Sequence, residues 1–130
     1  MGFITLREYW KGRDVSHAKE LTPEIRKAAS ETVQRANQLL ALMNWGPVIV
    51  SSGWRPPSIN AAAGGSKRSN HLTGHAVDLS DPDGKIDAWC MANLDKLEQV
   101  GIWLESPDRT KNWSHWQIKS PASGNRVFNP

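Results

Sequence analysis

The 130-residue sequence contains one cysteine, one tyrosine and two phenylalanines. Cys90 has no second cysteine with which to pair, so an internal disulfide is excluded, and a single thiol leaves the redox compartment undetermined. No apolar run approaches the ~20 residues that a membrane-spanning helix needs. The composition therefore predicts an ordinary globular protein that is held together by its core.

The N-terminus lacks the charged start, apolar stretch and small-residue cleavage site of a secretory signal. If the target lies outside the membrane, we expect another factor to deliver the protein. The net charge is +3, and basic and acidic residues are interspersed, so a dedicated nucleic-acid function is not indicated. A mild positive charge would suit contact with an anionic cell wall, but it is also ordinary at this size.

The length is sufficient for one modest hydrophobic core. We therefore predict a single domain over residues 1–130. Its least regular parts are expected at an N-terminal arm, residues 1–21, and a C-terminal tail, residues 120–130, which packs back on the domain.

Two helices dominate the predicted secondary structure. Thr22 is a favourable N-cap with Pro23 at the first helical position, and apolar residues then recur every three or four positions up to Met43. A second helix is predicted at about 86–100, with Gly101 as its C-terminal cap. Each helix would present apolar residues to the core.

The predicted strands are short. The β-branched segment 47–51 is typical of a buried strand, and alternation predicts another over 76–80. Segments 102–105 and 113–118 are predicted to form a hairpin. Together these elements predict an α+β fold in which two main helices pack on a small, largely antiparallel sheet.

An imidazole and a carboxylate lie seven residues apart across a predicted turn into a strand. Side chains alternate along a strand, so Asp78 lies on the open face while Val77 and Leu79 point into the core. His71 precedes the turn. A catalytic zinc site needs a third ligand, and His115, on a second strand-like segment, offers one.

Several motifs occur here in an order that resembles a known family. The family comprises the zinc D-alanyl-D-alanine carboxypeptidases and L-alanyl-D-glutamate endopeptidases that cut peptidoglycan stem peptides, many of them phage endolysins. The ordered set is more specific than any one motif. It covers roughly residues 47 to 119 and consists of Ser52-Gly53-Trp54-Arg55, then Asn60 with Gly64 and Gly65, then Ser69, His71, Gly74, Ala76 and Asp78, and finally His115-Trp116.

The resemblance implies that His71, Asp78 and His115 bind Zn²⁺. Two neutral imidazoles and one carboxylate suit zinc and leave a fourth position for water, whose pKa falls toward ~7 in such sites. His75 lies on the other face of the strand from Asp78, so we expect it to point away from the metal.

The resemblance also implies roles for residues around the metal. In the family, the arginine corresponding to Arg55 orients the substrate or stabilises the oxygen that gains charge, a task that suits its planar donors. The alternative is a structural arginine that pairs with a carboxylate. Ser69, Asn112 and Trp113 are the predicted substrate-binding residues.

The position of the general base departs from the family pattern. The family has Asp or Glu three residues before the last histidine, and here that residue is Asn112, whose amide cannot accept a proton at neutral pH. Glu105, at the end of the preceding strand, and Asp108, in the intervening loop, are possible substitutes. We take Glu105 as the predicted base.

Seven tryptophans in a short chain raise the possibility of stacking on sugars. Most are expected to serve the core or the walls of the site. Trp54, Trp113 and Trp116 lie beside predicted site residues in the sequence and are the candidates for ligand contact.

The predicted function is zinc-dependent hydrolysis of a peptide bond in peptidoglycan stem peptides, by a phage-encoded carboxypeptidase or endopeptidase. Its expected partners are the stem peptide and phage particle proteins, and its expected target is the bacterial cell wall, reached during phage lysis or from the virion. The alternative is a weakly active or inactive zinc-binding module of the same fold with a structural or wall-binding role, and Asn112 favours it.

Overall fold

The computed structural model describes residues 3–130, so the first two residues of the predicted arm lie outside the described part of the chain. The helices among the described residues are α1 (Leu6–Trp10), α2 (Arg13–Ser16), α3 (Pro23–Met43), α4 (Pro57–Ala62), α5 (Lys85–Ala92) and α6 (Leu94–Val100). Short 3₁₀ turns occur at Ala18–Glu20 and Pro107–Arg109. The strands are β1 (Val50–Ser52), β2 (Ala76–Asp81), β3 (Trp103–Glu105), β4 (Asn112–Gln117) and β5 (Val127–Phe128).

The strands form one sheet in the order β1-β2-β4-β3-β5. Every pairing is antiparallel except the one between β3 and β5, which is parallel. The predicted α+β class with a largely antiparallel sheet is therefore confirmed, as is the hairpin of β3 and β4. The two strands with the longest pairing, β2 and β4, lie next to each other and carry the candidate site.

Helix α3 follows the sequence prediction closely. The Thr22 hydroxyl accepts a hydrogen bond from the Ile25 amide, and Asn44 ends the helix in a left-handed conformation with φ of 54°. The apolar stripe packs into the core through Ala29, Val33, Ala36, Leu39, Leu40 and Met43. No helix in the described part of the chain has both the length and the apolar character needed to cross a membrane.

The predicted helix at 86–100 is two helices, and the single-helix prediction was wrong. Asn93 takes a non-helical conformation, and its side-chain amide donates to the Trp89 carbonyl at the end of α5. The Asn93 carbonyl in turn accepts from Lys96 at the start of α6. One asparagine therefore ends α5 and begins α6, a local competition between side chain and backbone that periodicity does not reveal.

Both ends of the chain are more regular than predicted. In the arm, Tyr9 and Trp10 are buried in the core, and the Tyr9 hydroxyl donates to the Ala76 carbonyl at 2.8 Å. In the tail, Val127 and Phe128 form β5 against β3, so the prediction of an irregular tail was wrong there. The strand predicted at 47–51 is displaced and begins only at Val50.

Candidate metal centre

Strand register brings acidic and basic side chains together on one face of the sheet. Asp78 of β2 pairs directly with His115 of β4. On the other side of β4, Leu104 pairs with Trp116, so the next residue of β3, Glu105, lies beside His115. The carboxylate of Asp78, the imidazole of His115 and the carboxylate of Glu105 therefore form a row across three neighbouring strands.

His71 reaches the same place from the turn that precedes β2. Its Nδ1 lies 2.7 Å from the Gly53 carbonyl, which can only accept, so Nδ1 carries the proton and donates it. In the neutral ring, Nε2 is then left with a lone pair. This nitrogen is buried without a hydrogen-bond partner and lies 3.2 Å from Asp78 Oδ2.

His115 is held between two acceptors. Its Nδ1 lies 2.8 Å from Asp78 Oδ1, and its Nε2 lies 2.8 Å from Gln117 Oε1. The ring also packs edge-on against Phe128, with centroids 6.1 Å apart. Strand pairing, two hydrogen bonds and an aromatic contact together restrict the position of this imidazole.

The three residues fit a metal ion. One ligand atom from each of His71, Asp78 and His115 lies within 4.8 Å of the other two. A lone pair on His71 Nε2 facing a buried carboxylate is unfavourable unless a cation lies between them. Two imidazole nitrogens and one carboxylate oxygen are a ligand set that zinc prefers, so the chemistry of the donors agrees with the predicted cofactor.

The protonation equilibria of the cluster follow from burial and charge. Burial lowers the pKa of the His71 imidazole despite the nearby Asp78 carboxylate. Burial opposes ionisation of Asp78, but the two histidines outweigh it and hold the pKa of this carboxyl well below its usual range. Burial likewise opposes charging of His115, yet its hydrogen bond to Asp78 raises its pKa.

Arg55 lies at the edge of the cluster. Its Nη2 is 3.6 Å from Asp78 Oδ2, and its Nη1 donates to Asn60 Oδ1 at 3.4 Å. Gly65 packs so tightly against Asn60 that a Cβ there would lie 2.1 Å from the Asn60 Oδ1 atom. Arg55 therefore pairs with a carboxylate, as the structural interpretation predicts. That carboxylate belongs to the candidate metal site, so Arg55 also lies where the functional interpretation requires it.

Glu105 and Asp108, the two possible bases, occupy different environments. The Oε1 atom of Glu105 lies 3.9 Å from His115 Nδ1. Burial raises the pKa of Glu105, and the neighbouring His115 limits that rise. Asp108 is exposed on the 3₁₀ turn between β3 and β4. The structure thus brings Glu105, and not Asp108, to the cluster.

Asn112 begins β4 with a left-handed φ of 80° and pairs with Asp81, three residues along β2 from Asp78. It is exposed and lines a cavity with Asp87 and Thr110. Among the described residues, Asn112 makes no hydrogen bond to His71, Asp78 or His115. The structure therefore places Asn112 apart from the ligand cluster.

The two other predicted substrate-binding residues differ in exposure and contacts. Trp113 is half-buried and, by strand alternation, shares the face of His115. The Ser69 hydroxyl accepts a hydrogen bond from the His71 amide at 3.2 Å, so it shapes the turn that presents His71.

Two tryptophans proposed for ligand contact lie in the core, and that prediction was wrong for both. Trp54 is fully buried and donates to the Leu72 carbonyl, and Trp116 is buried and donates to Ser114 Oγ. For Trp116 the reason is that neighbours along a strand point in opposite directions, so adjacency to His115 places it on the other face of β4.

The remaining histidines lie outside the cluster. His75 bonds Thr73 Oγ1 through its Nδ1 atom, and His17 bonds Ser16 Oγ in the N-terminal arm. The expectation that His75 points away from Asp78 is consistent with these contacts.

Two supporting groups escaped the sequence predictions. Alternation predicts that Gln117, two residues after His115, shares its face, but the sequence predictions assigned Gln117 no role in the site. The Gly53 carbonyl that orients His71 could not have been found, since a backbone acceptor leaves no mark on residue type.

Comparison with known proteins gives one family match. A family model described as peptidase M15 matches residues 6–115, which include His71, Asp78, His115, Arg55 and Glu105. No curated protein matches the chain.

Proposed function

The chain belongs to the peptidase M15 family, whose members are zinc-dependent, and on that premise we propose that it hydrolyses a peptide bond in peptidoglycan stem peptides. One observation carries the proposal. The three candidate ligands, His71, Asp78 and His115, converge at a point flanked by a guanidinium on one side and a carboxylate on the other. This is the set of groups that metal-assisted peptide hydrolysis requires.

Zinc bound by His71, Asp78 and His115 would lower the pKa of a bound water toward ~7 and polarise the scissile carbonyl. The protein's contribution is to hold these three ligands in place before substrate arrives. The β2–β4 pairing sets the separation of Asp78 and His115, and the Gly53 carbonyl aims His71 at the same point.

Glu105 is the general base in this proposal. Its carboxylate is close enough to the cluster to accept a proton from the attacking water and to pass it to the departing amine. A pKa raised by burial makes the carboxylate a better proton acceptor than an exposed glutamate. Strand β3, which pairs with β4, thus supplies a carboxylate, whereas Asn112, in the position of the family's base, has only an amide.

Arg55 stabilises the carbonyl oxygen as it gains negative charge. The guanidinium is mostly buried, with its side chain 13% exposed, and is held by Asn60 and Asp78. In this setting a fixed cation costs little reorganisation during the reaction. Trp113, half-buried on the same face of β4 as His115, is placed to form a wall for the peptide.

The choice of peptidoglycan rests on the resemblance of the ordered motifs to the wall-cutting members of the family. We extend the proposal to a phage-encoded enzyme that reaches the bacterial wall during lysis or as part of the virion. Within that class, the activity is that of a carboxypeptidase if the terminal D-alanine is released, and of an endopeptidase if an internal bond is cut.

The alternative function is a zinc-binding structural or wall-binding module that has lost turnover. Asn112 favours it, because the residue in the position of the family's base has no proton-accepting side chain. The proximity of Glu105 to His115 favours the enzyme instead.

Digestion of purified peptidoglycan by the zinc-loaded chain, with mass analysis of the released fragments, tests the proposal. The enzyme predicts new peptide termini at one type of stem-peptide bond, and their identity separates carboxypeptidase from endopeptidase. The His71→Ala, His115→Ala double variant is the control and should release none. If the zinc-loaded chain binds peptidoglycan without cutting it, the module is the correct function.

A further inference from the structure

Gln117 is buried at 3% exposure and makes two directed hydrogen bonds. Its amide nitrogen donates to the Lys119 carbonyl at 2.8 Å, and its Oε1 lies 2.8 Å from His115 Nε2. Because a carbonyl can only accept, the contact with Lys119 determines which end of the amide is the nitrogen. The oxygen of Gln117 therefore faces the imidazole and can only accept a hydrogen bond from it.

The cross-strand neighbours of Gln117 offer no competing acceptor side chain. It pairs with Ala76 on β2 and with Trp103 on β3. Alanine has no polar side-chain group, and the indole of tryptophan only donates. The Gln117 oxygen is the side-chain acceptor that the structure places at Nε2 of His115.

Two acceptors compete for the protons of His115. Asp78 Oδ1 faces Nδ1, and Gln117 Oε1 faces Nε2. A neutral imidazole has one proton, and a carboxylate is the stronger acceptor, so Asp78 alone would favour the proton on Nδ1. A ring in that form has no lone pair directed toward Asp78 and His71, and it cannot bind a metal there.

We propose that Gln117 is a positioning residue for the zinc site: its oxygen accepts a hydrogen bond from Nε2 of His115 and so favours the tautomer that leaves Nδ1 free as the ligand. The Lys119 carbonyl, by fixing the amide, prevents the rotation that would present an NH₂ group to the ring. Groups that orient a ligating histidine in this way typically contribute 10- to 100-fold to metal affinity.

The role of Gln117 rests on the zinc site and not on the peptide bond that is cut. A chain that binds zinc but leaves peptidoglycan intact would therefore disprove the proposed function and leave this inference standing. The role of Gln117 is tested by zinc affinity and by the position of the proton on the His115 imidazole, without any measurement of turnover.

The experiment compares zinc affinity by chelator competition in three variants. Gln117→Leu removes the acceptor at similar volume and is expected to weaken zinc binding ~10- to 100-fold. Gln117→Glu retains an acceptor oxygen for His115 but loses the hydrogen bond to the Lys119 carbonyl, and it should bind zinc more tightly than Gln117→Leu. Gln34→Leu, at an exposed position of α3, is the matched control and should not differ from the wild type.

Two results would overturn the inference. Unchanged affinity in Gln117→Leu would mean that the amide is not needed, and equal losses in the Leu and Glu variants would mean that packing or the Lys119 contact matters instead. Thermal unfolding of the metal-free variants shows whether each is folded.

Nitrogen-15 NMR of the histidine rings tests the premise of the inference, because it identifies which nitrogen of His115 binds the metal, and it can be applied even if Gln117→Leu does not fold. Zinc-loaded wild type should show His115 with its proton on Nε2 and its Nδ1 unprotonated. The opposite pattern would overturn the inference whatever the variants do.

Discussion

Glu105 on β3 and His115 on β4 lie side by side across the sheet, with Oε1 of the carboxylate 3.9 Å from Nδ1 of the imidazole. Nine residues of chain lie between them, and the pairing of β3 with β4 brings them together. In the proposed function, Glu105 supplies the base from the neighbouring strand in place of one from the same strand. This relationship makes Asn112 compatible with an active enzyme.

Substitution of Glu105 tests that relationship. Glu105→Gln retains the shape of the side chain but cannot accept a proton, so turnover should fall by ~10²–10⁴-fold while zinc stays bound. Peptide release from peptidoglycan and zinc content would be measured on the same preparation. Asp108→Asn, exposed on the adjoining turn, is the control and should retain activity; a fully active Glu105→Gln enzyme would exclude Glu105 as the base.

Arg55→Lys tests whether the Arg55 guanidinium stabilises the carbonyl oxygen during the reaction. An ammonium cannot reproduce the planar pair of donors, so we expect the fold and zinc content to be retained and turnover to fall by ~10²–10³-fold. Steady-state kinetics should show the loss mainly in kcat, because the interaction strengthens as the oxygen gains charge. Unchanged kinetics would return Arg55 to a purely structural role through its contact with Asp78.

Asn112→Asp distinguishes an enzyme whose base is Glu105 from a zinc-binding module that has lost its general base. Asn112 is exposed and lines a cavity with Asp87 and Thr110, so a carboxylate there should change peptidoglycan hydrolysis little if Glu105 is the base. A large gain from a nearly inactive wild type would instead show that the family's position still reaches the reaction. Absence of cleavage in both proteins, each with zinc bound, would favour the structural module.

Zinc binding should depend on pH in a direction set by His115. The wild type is expected to hold about one zinc per chain. Binding requires an unprotonated Nδ1, and Asp78 raises the pKa of this imidazole, so protons compete below that raised value. Affinity should thus fall as the pH drops, beginning above the ~6.5 of an ordinary histidine.

His71 should add little to this pH dependence, because burial lowers its pKa and keeps it neutral over the same range. Chelator competition across the pH range provides the measurement. His75→Ala is the control and should leave the curve unchanged, because His75 lies outside the cluster. Full zinc occupancy in the His71→Ala, His115→Ala double variant would contradict the site itself.

Much of the fold was predictable from local signals. Thr22 and Pro23 marked the start of α3, apolar spacing marked its buried face, and alternation placed Asp78 on the face opposite Val77. These features depend on neighbours within a few residues, so periodicity and capping preferences are sufficient to find them. The break at Asn93 was missed because one side-chain hydrogen bond outweighed an otherwise continuous helical pattern.

The sequence by itself determined the identity of the candidate ligands, since His71, Asp78 and His115 stand in an ordered set of motifs. Only the tertiary structure decided how closely groups from other strands and loops approach them. Antiparallel pairing placed Glu105 beside His115, and close packing against Gly65 placed Asn60 beside Arg55. Such contacts depend on strand register and on the approach of distant backbone segments, and no local pattern of residue types encodes either of these.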